Sequence, residues 1–241
     1  MFTPSSIFFK RVKEKNGGEK NTLKKRNNNK KEINKKMINN TQNQQNKKFF
    51  DKWAKSYDKF VFGWWMRSTQ RKLLKKLNLQ PTSSLLDVGC GTGYFLQEVG
   101  KRIKKGKIIG IDLSQEMINQ AKNKLNKIKN IKLDVADVEQ IPHKENTFDY
   151  VTTTEAFHHF PNPKAGLNEM HRVLKKNGVL AIVDINFLPL VLTNLLFKLE
   201  PGFVRMYSKK EFEQMLHHAG FTVLKQMRVN VFGLMAIARK E

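Results

Sequence analysis

The run Leu85-Leu86-Asp87-Val88-Gly89-Cys90-Gly91-Thr92-Gly93-Tyr94-Phe95 constrains this chain more than any other stretch. A short apolar segment that suits a buried strand leads into glycines at alternate positions, and a helical pattern follows. Glycine lets the backbone take left-handed angles and approach a ligand closely where a strand ends. Strand, tight turn and helix in that order open a layered α/β domain rather than a bundle or an all-β sandwich.

The rest of the chain keeps that rhythm. Apolar runs at 85–88, 107–111, 131–135, 148–153 and 179–185 predict strands. Between them the spacing predicts helices over 93–103, 114–128 and 163–174. Asn162 before Pro163 is a natural start for the last of these. Ser208-Lys209-Lys210-Glu211 fits a capping box for a helix ending at Gly220, and 221–229 and 231–238 read as two final paired strands. Upstream, 49–58 reads as a short amphipathic helix and 68–79 as a second, stopped by Pro81. Strands alternating with helices mean a parallel sheet with right-handed crossovers, a doubly wound α/β fold.

Two acids sharpen the glycine turn. Asp112 ends the second strand, and a carboxylate there can accept both hydroxyls of a ribose. Asp137 follows the third strand and can accept from an adenine amino group. All three features fall at carboxyl ends of adjacent strands, where open α/β sheets bind ligands. A nicotinamide dinucleotide fits less well. Its fingerprint puts a third glycine three residues after the second, where this chain has Tyr94, and the acid Asp87 is awkward beside a pyrophosphate. Asp87 suits a ligand that carries an ammonium, such as S-adenosylmethionine.

On these motifs the chain resembles the class I S-adenosylmethionine-dependent methyltransferases, and within them the type 11 group that includes ubiquinone/menaquinone C-methyltransferases. Leu85 to Gly93 is similar to the family's cofactor loop. Ile109-Gly110-Ile111-Asp112-Leu113-Ser114-Gln115-Glu116-Met117 resembles its ribose-binding segment. Asp137-Val138-Glu139-Gln140-Ile141-Pro142 resembles its adenine-side segment. Phe157-His158-His159-Phe160 and Glu169 to Gly178 resemble the stretch spanning the fourth and fifth strands, with Asn177 where the family often has glycine. The resemblance covers about Phe49 to Lys240. It implies a Rossmann-like, doubly wound seven-stranded sheet with an antiparallel last strand, and S-adenosylmethionine as cofactor. It also implies cofactor contacts at Tyr57, Asp87, Gly89, Gly91, Gly93, Asp112, Leu113, Met117, Asp137, Val138 and Thr154.

Methyl transfer from a sulfonium is an in-line displacement, so the protein chiefly positions donor and acceptor and excludes water. A base is needed only where the acceptor must lose a proton. His158 and His159, just after the fourth strand, are the candidates, with Thr154 and Glu155 beside them. The single cysteine, Cys90, sits inside the glycine loop, which argues against a pyrimidine C5 acceptor attacked by a thiol and against a Cys-rich metal site. The stretch 152–157 lacks the Pro-Pro-aromatic turn associated with exocyclic amines of nucleobases. The reading is a methyltransferase for a small, apolar or lipid-like acceptor, with no metal. The alternatives are an RNA methyltransferase, a domain that binds the cofactor without turnover, and a nicotinamide oxidoreductase.

Charge bears on the choice of acceptor. The 241 residues carry a formal net charge of +24, and residues 1–48 alone contribute +11 together with ten asparagines. That composition predicts a disordered tail over 1–47 and a methyltransferase domain over 48–241. Lysine outnumbers arginine 36 to 9, and arginine is the residue that reads phosphate and base edges with a planar fork. A solvated lysine-rich surface is therefore favoured over a nucleic-acid face, although the tail could tether RNA. The apolar run 185–197 is apolar nearly all round. It predicts a lid-like insertion over 185–205, either packed under Trp64-Trp65 or lining the acceptor pocket and touching a membrane surface. The expected compartment is cytoplasmic, or alternatively the mitochondrial matrix, since Met1 to Lys13 holds no acid.

Overall fold

The structure is a computed structural model that describes residues 37–56, 63–186, 190–197, 202–230 and 232–241. The chain divides into two units, Met1–Gln42 and Asn43–Glu241. Of the first, the described residues 37–42 are helical, and Thr41 Oγ1 donates to the Met37 carbonyl at 3.0 Å.

The second unit opens with helix α1 over 43–56, then α2 (Gly63–Leu74). Strand β1 (Leu85–Val88), α3 (Tyr94–Gly100), β2 (Ile108–Asp112), α4 (Gln115–Leu125) and β3 (Ile131–Val135) follow. Then come β4 (Phe148–Thr154), α5 (Pro163–Val173), β5 (Leu174–Ile185), α6 (Leu190–Phe197), α7 (Lys209–His218), β6 (Phe221–Asn230) and β7 (Gly233–Lys240). The seven strands form one sheet in the order β3-β2-β1-β4-β5-β7-β6. Strands β1 to β5 pair in parallel, and β7 runs antiparallel to both β5 and β6. This is the seven-stranded, doubly wound sheet expected, with its last strand antiparallel.

Side chains alternate across the sheet with period two, so each strand feeds both cores. Leu86, Val88, Ile109, Ile111, Leu180 and Ile182 pack with Leu167 and Met170 of α5 and Phe212 and Leu216 of α7. Leu85, Ile108, Ala181 and Val183 pack on the other face with α2, α3 and α4, through Leu73, Phe95, Val99, Ile118 and Leu125. Strands buried on both faces explain the near-continuous apolar runs in the sequence.

Local signals hold at most helix ends. Asn162 Oδ1 accepts from the Ala165 amide with Pro163 next to it, and Ser208 and Glu211 form the full capping box of α7. Asn177 has a φ of 60°, the left-handed angle its turn demands. Four expectations need correction. Helix α2 runs from Gly63 to Leu74, starting five residues before Ser68 and ending five before Leu79, and it brings the Trp65 ring edge-on to Phe232 at 6.4 Å. Strand β5 starts at Leu174, which pairs with Phe148 before an irregularity in register. The tail expected over 1–47 ends earlier, because residues 37–47 are helical and Asn46, inside the compact unit that begins at Asn43, is buried; residues 1–36 lie outside the described residues. Finally, α6 is open on one face, while Asn194 bonds the Met206 backbone and the Phe197 ring meets Phe203. Leu192, Leu195 and Leu196 are 52%, 62% and 57% exposed, and Trp64 is 75% exposed, so packing of this run under Trp64 is not what the fold uses.

Candidate active site

The carboxyl ends of β1, β2 and β4 meet at a hollow of about 750 Å³. Gly89 and Gly91 form one wall, with φ of 69° and 52°. Both angles are left-handed, the region where glycine costs nothing and other residues are strained. A Cβ on Gly89 would stand 2.6 Å from the Ala156 Cβ, whereas one on Gly91 would meet nothing within 4 Å. Gly91 therefore faces open space, a cradle over which a ligand can lie. Gly93 does a different job. It is the residue before α3, and a Cβ there would strike Leu125 Cδ1 at 2.7 Å, so it lets α3 pack on α4.

Asp112 closes the end of β2 inside this hollow. Its Oδ2 accepts from the Gly91 amide and its Oδ1 from the Ser114 amide, each at 2.9 Å. Those bonds fix the carboxylate and leave each oxygen a further lone pair for a diol. Burial pushes the Asp112 pKa up, the Ser114 and Gly91 amides oppose that, and nearby Asp51 adds to it. Asp137 sits before a short 3-10 turn, Val138–Gln140. Its Oδ1 accepts from the Glu139 amide at 2.9 Å and its Oδ2 from Asn43 Nδ2 at 2.7 Å. Leu113, Met117, Ala136 and Val138 supply flat apolar surface between the two acids.

Helix α1 forms part of the wall through Asn43, Asn46, Lys47 and Phe50. Asn46 Nδ2 donates to the His159 carbonyl at 2.9 Å, and the Phe50 ring meets the His159 ring edge-on at 4.9 Å. One helical turn further, Asp51 Oδ1 accepts from Ser114 Oγ at 2.6 Å and from the Glu116 amide at 3.2 Å. Ser114 Oγ in turn accepts from Met117 at the start of α4. A carboxylate from another helix thus sits on the positive end of α4.

The far side of the hollow carries titratable groups. His159 Nδ1 lies 2.9 Å from the Gly202 carbonyl, so it carries the proton and donates, which leaves Nε2 as the basic nitrogen. Burial holds its pKa well below the ordinary value, the neighbouring His158 lowers it further, and the Gly202 bond acts the other way. His158 lies behind it, ring to ring at 3.9 Å, with Nδ1 2.6 Å from Asp184 Oδ1. Glu155 is buried at a φ of 52°, accepts from Gln70 Nε2 at 2.9 Å and bonds Thr69 Oγ1. Burial pushes its pKa up to about 8, against Thr69 and Gln70, with Asp184 raising it and His158 lowering it.

The hollow brings together Gly89, Gly91, Asp112, Leu113, Met117, Asp137, Val138, Thr154 and His159 of the expected residues. Asp87, Gly93 and His158 do not line it. Asp87 turns inward and accepts from Thr152 Oγ1 at 2.7 Å, while its Oδ2 is buried without a partner. Burial pushes its pKa up to about 7, with Thr152 opposing and Asp112 adding. Tyr57 lies outside the described residues. Sequence reasoning missed Asn43, Asn46, Asp51 and Asp184. Among the described residues no cluster of His, Cys, Asp or Glu could hold a metal ion.

Comparison with known proteins agrees with this geometry. A family model described as a methyltransferase domain matches residues 79–225. The demethylmenaquinone methyltransferase of Staphylococcus epidermidis is 31% identical over 183 residues, which span 71% of this chain and 76% of that protein. An uncharacterized protein of Methanocaldococcus jannaschii is 30% identical over 208 residues, 76% of this chain and 78% of its own. Among solved structures, an S-adenosylmethionine-dependent methyltransferase from Aquifex aeolicus is 30% identical, with a TM-score of 0.60 over 71% of this chain and 89% of that one. A Haloferax volcanii putative methyltransferase, solved with the Trm112 activator, has a TM-score of 0.72 over 79% of this chain and 96% of its own. At 20% identity it speaks for the fold alone. The hollow suits the donor these names imply. It offers a fixed carboxylate with spare lone pairs at Asp112, apolar walls at Leu113, Met117 and Val138, and open space over Gly91. With S-adenosylmethionine as its cofactor, the chain belongs to the class I methyltransferases, in their type 11 group.

Proposed function

We propose that this enzyme methylates a small, apolar or lipid-like acceptor of the quinol kind, at a position that must surrender a proton. The observation that carries this reading is His159. Its imidazole is buried in the wall of the hollow, against the Phe50 and His158 rings, with Nδ1 committed to the Gly202 carbonyl. A histidine kept neutral in that way holds a basic Nε2 toward an apolar space, which suits an aromatic hydroxyl better than a solvated amine. Relatives at 31% identity are named for demethylmenaquinone. The exposed leucines of α6, in the stretch after β5, support a lid role for 185–205 with an apolar acceptor beneath.

The roles then divide as follows. Bound S-adenosylmethionine supplies an electrophilic methyl group. Asp112 accepts the ribose hydroxyls, and Leu113, Met117 and Val138 hold the base flat. Asp137, steadied by Asn43, accepts from the adenine amino group. Gly89 and Gly91 let the backbone come close. Thr154 and the protonated Glu155 keep α2 against the site, and His159 takes the acceptor's proton. His158 and Asp184 fix the ring beside it.

The test is incubation of the purified protein with methyl-labelled donor and two acceptors in parallel, detergent-dispersed demethylmenaquinone and total RNA. Label should enter the lipid extract. Label confined to RNA overturns the acceptor class and favours the basic chain as an RNA tether.

A further inference from the structure

Helix α6 turns three large apolar side chains away from the protein. Leu192, Leu195 and Leu196 stand at i, i+3 and i+4, so they share one face, and each is more than half exposed. Among the described residues no other helix of the second unit exposes three such side chains. The other side of α6 is held. Asn194 exchanges two bonds with the Met206 backbone, at 2.8 and 3.2 Å, and the Phe197 ring meets Phe203 at 5.6 Å.

Residues 202–206 bring α6 next to α1. A Cβ on Gly202 would lie 2.9 Å from Asn46 Oδ1, and Gly202 and Asn46 both bond His159. Asn46 marks the inner face of α1. On the outer face Lys48, Lys52 and Lys55 are exposed at i, i+4 and i+7, a row of positive charge. The one acid between residues 43 and 56, Asp51, is committed to Ser114 and the Glu116 amide.

An apolar ridge and a row of lysines thus border the same site. Whatever covers the ridge must be apolar and must also welcome positive charge. A second copy of the chain fails on charge, since each carries +24. A bilayer with anionic headgroups meets both demands. Leucines enter the boundary between headgroups and acyl chains, and lysines reach phosphates on long stems without a fixed geometry. We propose that the Leu192, Leu195 and Leu196 face of α6, with the Lys48, Lys52 and Lys55 row of α1, docks the enzyme on an anionic lipid surface. Docking there rests on the reading of an apolar acceptor, which would be dissolved in the same lipid. Vesicle binding is measured without any acceptor, so either can fail alone.

The full chain is floated with vesicles of phosphatidylcholine alone and of equal parts phosphatidylcholine and phosphatidylglycerol, at about 0.1 M salt. It should bind the mixed vesicles. Leu192→Ser, Leu195→Ser and Leu196→Ser combined should weaken that binding by about tenfold or more. Lys48→Gln, Lys52→Gln and Lys55→Gln combined should weaken it by about tenfold or more as well. Both variants should melt with the wild type and bind S-adenosylhomocysteine as it does. A dye provides a second readout should the leucine variant unfold. Cys90 is buried, so a polarity-sensitive label attaches selectively to Leu195→Cys, and its emission should shift to the blue on mixed vesicles. No binding by the wild type overturns the proposal. Binding without a blue shift, or binding that both combined variants retain in full, assigns attachment to the basic residues before Met37 and overturns it too. A blue shift without vesicles as protein concentration rises would assign the face to a second copy. One that appears on adding S-adenosylhomocysteine alone would assign it to closure over the enzyme's own hollow. Each of these also overturns it. Methyl label found only in RNA, with vesicle binding and the blue shift intact, overturns the acceptor class and leaves the docking surface standing.

Discussion

Glu155→Gln tests the electrostatics of the pocket wall most directly. The Thr69 hydroxyl has one proton, and it lies 2.7 Å from the Met66 carbonyl one turn back in α2. Glu155 Oε1 competes with that carbonyl for the same proton; once burial keeps the Glu155 carboxyl protonated, Glu155 can donate to Thr69 Oγ1 and leave the threonine proton to Met66. The other carboxyl oxygen accepts from Gln70. A glutamine reproduces that pattern, with its amide donating to Thr69 and its carbonyl accepting from Gln70. Burial pushes the Glu155 pKa from 4.5 up to about 8. In the unfolded chain the group ionises above about 4.5, while the folded chain retains its proton until about 8. Wild-type stability therefore falls across that window by up to about 1.4 kcal/mol per pH unit, then levels off. The variant lacks this slope. At pH 5 the two proteins should differ by less than about 1 kcal/mol, and by pH 8 the variant should be the more stable by as much as about 5 kcal/mol. Urea melts from pH 5 to pH 9 give the comparison. A difference that stays flat between pH 5 and pH 8, or a variant strongly destabilised at pH 5, would mean that Glu155 is ionised and that Thr69 donates to it.

Other outcomes follow from the same wall. Asp112→Ala should cost about 2–4 kcal/mol of S-adenosylhomocysteine affinity by calorimetry, with Asp112→Asn between it and wild type. Gly89→Ala and Gly91→Ala should both lower the melting temperature through the strain of a left-handed φ, Gly89→Ala the more because its Cβ would also sit 2.6 Å from Ala156, and Gly91→Ala should in addition bind donor weakly, because its Cβ enters open space. Deleting residues 1–42 should leave donor binding intact, whereas deleting 1–47 also removes the Asn43 and Asn46 bonds and should weaken it about tenfold.

The sheet was legible because strands buried on both faces leave continuous apolar runs. The glycine turn with Asp112 and Asp137 was legible because ligand chemistry demands those residue types at strand ends. What stayed hidden has physical reasons. Asn43 and Asn46 are polar residues in a polar stretch, and their sequence looks the same whether the amide meets water or a pocket. His158 and His159 are adjacent in a 3-10 turn, Phe157–His159, where no periodicity decides which ring faces the hollow. Asp184 ends an apolar strand, and its partner His158 lies 26 residues away, so their bond at 2.6 Å is purely tertiary. Helix α6 reads as a buried helix by composition, and only its exposed leucines show that the fold leaves one face of it open.

The position of β7 has a consequence for biosynthesis. It lies between β5 and β6 in the sheet although it follows both in the chain. A nascent polypeptide can assemble β1 to β5 as soon as they emerge, but β5 then presents a bare edge, and β6 has no neighbour until β7 arrives. Registers such as Ile182 with Ala236 and Met227 with Met235 are set together by the last strand. For that interval the growing chain exposes Leu180, Ile182 and Val183 along an unpaired edge, the kind of surface on which chains stick to one another. Translation speed through 186–232, and chaperones that shield apolar strands, therefore bear on how much of this enzyme reaches its native state.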